Sequence, residues 1–120
     1  MPSAREVVAC TGSGGSEGHD EPSWYGVRRV FRHRELGVYA ERVTLWSAGR
    51  PGDAIGRAEA EALEYCAALE EVDCAGYAEA FRMDGVLGEG AEVFSLMRES
   101  DLPSGVHVRR FFATGRERTG

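Results

Sequence analysis

The sequence predicts an α+β fold in two layers: an antiparallel sheet of about four strands, in β-β-α-β-β-α order, with one long helix packed on one face. Three observations carry that expectation. Residues 24–33 and 39–47 alternate in character with a period of two across a short turn, as a β-hairpin does. Residues 54–69 repeat apolar side chains at spacings of three and four, as an amphipathic helix does. Residues 77–83 and 91–98 alternate again, on either side of a glycine-containing turn, and read as a second hairpin.

In the first strand Tyr25, Val27 and Phe31 share one face, while Trp24, Arg28, Val30 and Arg32 share the other. The second strand sets Tyr39, Glu41, Val43 and Leu45 against Arg42, Thr44 and Trp46. Its mixed faces suggest one side on the helix and one side partly wet, with Trp46 on the wet side beside Arg42. Asp53 is a candidate helix N-cap, and Ile55, Ala58, Ala62, Tyr65, Cys66 and Leu69 form the apolar stripe. The third strand, Tyr77 to Met83, carries Glu79 on the side of Tyr77 and Phe81, and a fourth runs from Ala91 to Arg98. A final segment, Val106 to Phe112, reads either as an edge strand or as a short helix begun near Pro103, and the helix is favoured because Pro suits a first helical turn.

Residues 1–22 read as a disordered acidic leader rich in Gly and Ser, residues 23–115 as a single domain and residues 116–120 as a flexible tail. The run Val7-Val8-Ala9-Cys10 before Gly12-Ser13-Gly14-Gly15 raises the alternative of a strand feeding a phosphate loop. Glu17 stands where a dinucleotide fingerprint needs Gly, and a P-loop needs a Lys. The chain has no Lys, Asn or Gln; all 14 basic residues are Arg. Schiff-base and phosphate-cradling lysine chemistry are thereby excluded.

With a formal net charge of −6, the chain is poorly suited to nucleic acid, which needs Lys and Arg to displace counterions. The charge suits a basic protein partner steered by the field, or a small-molecule site. No apolar run reaches the roughly 20 residues of a membrane helix, so no membrane partner is expected, and the expected location is the cytoplasm. The odd number of cysteines, Cys10, Cys66 and Cys74, argues for free thiols. No histidine sits at a zinc-type spacing with a cysteine, so no metal and no cofactor is expected.

Several blocks in order, Trp24–Arg28, Glu41–Trp46, Ala58–Ala62, Glu92–Arg98 with Asp101-Leu102, and Phe111–Gly115, resemble landmarks of the domain of unknown function 4288 family, a group of short bacterial proteins. The resemblance spans residues 23–118. It implies that the leader is an addition to the domain, and it supplies no catalytic residue.

Candidate site residues are the charged and aromatic side chains inside strands: Arg28, Glu41, Arg42, Trp46, Glu79, Glu92 and Arg98. Glu41 and Glu79 are expected to share the helix-facing side, where a close carboxylate pair would suit acid–base work. The competing reading is cross-strand Glu–Arg pairing, of roughly 0.2–1 kcal/mol per pair. Glu61 and Glu64 lack the His that a bundle metal site pairs with Glu. His107 with Arg109 and Arg110 forms a basic spot, and neither Ser95 nor Ser100 sits in a nucleophile elbow. These features favour a small interaction or accessory module, immunity-like by analogy, that binds another protein or itself through the open sheet face. The alternative is a ligand-binding or enzymatic domain with strand carboxylates in a sheet–helix cleft.

Overall fold

The computed structural model describes residues 5–10, by backbone pairing, and residues 22–117. The element order is β1 (Arg5–Cys10), β2 (Ser23–His33), β3 (Val38–Ala48), α1 (Pro51–Ala68), β4 (Val72–Arg82) and α2 (Ser104–Phe111). The α+β class holds, and the element order differs from the expected one. Three strands, β4, β2 and β3, form an antiparallel sheet, and β1 adds to it parallel to β4, giving the order β1-β4-β2-β3. The helix carries the chain from β3 to β4 with β2 between them, a split crossover.

Arg5–Cys10 thus forms a strand in place of the expected disordered leader. The run Val7-Val8 favours extended backbone, and the free edge of β4 offers it hydrogen-bonding partners along Arg5↔Tyr77 to Cys10↔Arg82. The expected Gly/Ser-rich loop at residues 11–21 lies outside the described residues, as do 118–120 of the tail.

The expected second hairpin is absent. Residues 91–98 adopt no strand; they cross the sheet face opposite α1 as irregular chain. Here the Val93 backbone comes so close to Gly26 that a Cβ built on the glycine would stand 1.9 Å from the Val93 carbonyl oxygen. Phe94 packs on Phe81 with ring centroids 6.0 Å apart. The alternation of Val93, Phe94, Leu96 and Met97 reflects side chains draped over a sheet rather than ladder pairing. β4 in turn starts earlier than Tyr77, at Val72, and absorbs a bulge: Arg29 opposes Ala78 while Phe31 opposes Cys74. Gly76, at φ 76, sits in that bulge, where a side chain would be strained.

The helix starts at Pro51 with Arg50 as its N-cap, and Asp53, expected to be the cap, falls in its first turn. Proline at the helix start needs no N–H, and the Asp53 carboxylate suits the positive end of the helix dipole. Ala54, Ala58 and Ala62 recur every four residues and are fully buried on the sheet, alongside Tyr25, Val27, Ala78 and Ala80. Small side chains on both sides bring helix and sheet close together. Ala58→Leu is expected to overpack this contact and destabilise the fold by about 2 kcal/mol, read as a lower urea midpoint.

Candidate functional site

The sheet has two unlike faces. The face under α1 carries Tyr25, Val27, Arg29 and Phe31 of β2, Arg42, Thr44 and Trp46 of β3, and Ala78 and Ala80 of β4. The opposite face carries Trp24, Gly26 and Arg28, then Tyr39, Glu41, Val43 and Leu45, then Tyr77, Glu79 and Phe81.

Glu41 and Glu79 therefore share a face, but it is the one away from the helix. Sequence alternation groups these residues correctly; it misassigns the helix side because in β4 the alanines Ala78 and Ala80, not Tyr77 and Phe81, face the helix. Arg28 stands between the two carboxylates. It binds Glu79 in a short ion pair and reaches Glu41 Oε1 at 3.3 Å, and its guanidinium lies 5.1 Å from the Phe94 ring centroid. Burial opposes the Arg28 charge, while its bonds to Glu79 and Tyr77 and the field of Glu41 favour it, and its pKa ends above the ordinary value. Burial, then the Glu79 hydrogen bond and charge, push the Tyr77 phenol up. Glu79 is buried and Glu41 is exposed. The two carboxylates meet across a guanidinium rather than across a dry cleft.

Arg42 and Trp46 lie on the helix side, contrary to the wet-face expectation. The Arg42 guanidinium donates to both oxygens of Glu61, at 3.2 and 3.1 Å, and stacks 4.0 Å from the Tyr65 centroid. Trp46 is half-buried against the core, donates from Nε1 to Thr44 Oγ1 at 2.7 Å and is covered by Arg57. Both residues fasten α1 to β3 and are not free for a partner. Glu92 and Arg98 belong to the irregular segment; Glu92 is exposed, and Arg98 lies over Phe111 of α2 at 5.3 Å. The structure thus brings Arg28, Glu41 and Glu79 together and separates the other four.

Three features escape the sequence reading. Arg29 is buried on the helix side, and its Nε and Nη1 have no hydrogen-bond partner. Cys66 and Cys74 meet, Sγ to Sγ, at 3.3 Å. Burial, followed by the Cys74 hydrogen bond, pushes the Cys66 thiol from 9.0 up to about 11, with Arg29 working in the opposite direction. An acid whose folded pKa is raised keeps its proton while the unfolded chain loses it, so stability falls as pH rises from about 9 to about 11. Thermal melts across that range should show the decline, and Cys66→Ala should flatten part of it, with Tyr77 supplying the rest.

The third feature is the outer margin of β3. This strand of 11 residues ends the sheet, and no described strand pairs with its far side. Tyr39, Val43 and Leu45 stand exposed in one row, Tyr39 at 65%, with exposed Trp24 on the same sheet face. An open groove of about 840 Å³ wraps the start of the strand, bordered by Tyr39, Glu41, Tyr65, Arg116 and Glu117. At its tail side Glu117 folds back to accept hydrogen bonds from Thr114 and Gly115, which hold its carboxyl far below the usual range.

Among the described residues no group of three or more His, Cys, Asp or Glu side chains is placed to hold a metal ion, and no helix is long and apolar enough to cross a membrane. The fold and its margin define a small α+β domain whose β3 edge is covered by no described strand. No family model, curated protein or solved structure matches the chain, so the resemblance to the domain of unknown function 4288 family rests on the sequence blocks alone.

Proposed function

We propose that this chain is a cytoplasmic protein-interaction module that takes up a strand of a partner protein along β3. The β3 edge, unpaired among the described residues, and its exposed apolar row carry this reading. An unpaired strand edge offers backbone donors and acceptors that only another extended chain satisfies in register, and alternate side chains then give specificity. Tyr39, Val43 and Leu45 supply the apolar positions. Glu41 interrupts them and remains 64% exposed beside Arg28, and the chain has a net charge of −6. The matching partner strand is apolar on one face, with a basic residue opposite Glu41, in a protein of net positive charge.

A carboxylate-based enzyme is the weaker reading, because Glu41 and Glu79 share Arg28 and leave no paired acid and base facing a cleft. The interaction reading is tested by affinity purification of the tagged chain from its host beside Val43→Asp and Leu45→Asp variants of equal stability. A stoichiometric basic protein is expected with the parent chain, falling at least tenfold with either variant. Equal recovery with the variants would refute docking at β3. Arg42→Ala and Trp46→Ala are poor probes of that surface, since both residues hold the helix.

A further inference from the structure

Cys66 lies in the last turn of α1 and Cys74 near the start of β4, on the strand's helix-facing side. Both are half-buried beside Phe31, Ala62, Val72 and Tyr65, so the pair is shielded yet reachable from solvent. Their sulfurs are 3.3 Å apart, and a disulfide bond is about 2.05 Å long, so side-chain rotation of a little over an ångström closes the gap. No third ligand joins them in a metal-holding group among the described residues. Arg29 is 5% exposed, with two guanidinium nitrogens lacking hydrogen-bond partners, and its charge favours the ionised form of Cys66. The Arg29 charge offsets only part of the burial that holds the Cys66 proton, so exchange runs through a minor thiolate fraction and quickens as pH rises.

From this geometry we infer that Cys66 and Cys74 form a reversible dithiol–disulfide site, oxidised by low-molecular-weight disulfides such as glutathione disulfide. One cysteine gives up its proton, and its thiolate attacks a sulfur of the small disulfide. The small S–S bond breaks, a mixed disulfide forms and one small thiolate leaves. The second cysteine, deprotonated in turn, attacks the protein sulfur of that mixed disulfide; the Cys66–Cys74 bond forms and the second small thiolate leaves. The protein loses two electrons and two protons, and the small disulfide becomes two thiols. The bond fastens the end of α1 to β4 across a turn that is already constrained: Glu71 sits at φ 72, and its carbonyl accepts the Arg34 N–H at 2.8 Å.

The test is incubation of the folded, reduced full chain with glutathione disulfide, followed by intact mass, thiol titration after unfolding and peptide mapping without reductant. The expected product is about 2 Da lighter, retains only the Cys10 thiol and yields a linked Cys66–Cys74 peptide. Its Tm is higher by roughly 10 °C, and dithiothreitol reverses both changes. Cys10→Ser leaves the conversion intact, and Cys74→Ser abolishes the mass loss. Finding only mixed disulfides, a bond through Cys10 or three free thiols would overturn the inference. Peptide mapping of the unaltered chain decides this however the variants fold.

Discussion

Glu79→Ala is expected to lower the stability of the protein by about 3 kcal/mol. The carboxylate is 4% exposed, and its partner Arg28 lies mostly buried between the sheet and Phe94. Removing one member of a buried ion pair leaves the other charge without compensation, and Arg28 Nε already lacks a hydrogen-bond partner. Glu41 offers little relief, because it is exposed and reaches Arg28 by a single oxygen at 3.3 Å. Urea unfolding should show a lower midpoint at an unchanged slope. The double change Arg28→Met with Glu79→Leu should recover most of the loss, since an apolar pair of similar volume removes both charges together. A loss below about 1 kcal/mol for Glu79→Ala would mean that the pair is effectively solvated.

Gly26→Ala is expected to cost more than about 2 kcal/mol and to release the covering segment from the sheet. The added Cβ would stand 1.9 Å from the Val93 carbonyl oxygen and 3.1 Å from its carbon. These are backbone atoms, so no rotamer change makes room; either the segment lifts or the centre of β2 bends. Lifting withdraws Phe94 from Phe81 and from Arg28, so the loss extends beyond one contact. Hydrogen exchange should accelerate at residues 91–98 while α1, on the opposite face, keeps its protection. Unchanged exchange there would place the cost within β2 itself.

The hairpin and the helix were legible in the sequence because their periodicities, two and 3.6, are set by local geometry. Alternation also grouped Glu41 and Glu79 on one face, but it did not join Arg28 to them. It could not say which face the helix covers. That choice depends on the fit of Ala54, Ala58 and Ala62 against Ala78 and Ala80, a matter of size that hydrophobicity alone conceals. The alternating run at 91–98 has the pattern of a strand, yet the edges of β4 are taken by β2 and β1, so the run lies across the sheet instead. The strand at Arg5–Cys10 was obscured by the Gly- and Ser-rich composition that follows it. The Cys66–Cys74 contact depends on the bulge at Gly76, which brings Cys74 opposite Phe31; spacing in the sequence carries no trace of it.

Docking of a basic partner strand at β3 is tested most directly by site-specific photo-crosslinking in the native host. A benzophenone amino acid replaces Tyr39 on the exposed row, and in a second chain it replaces Glu59, exposed on α1. Irradiation should join position 39 to one protein of net positive charge and leave position 59 without that adduct. No adduct at position 39, the same adduct from both positions, or adducts only between copies of this chain would contradict it.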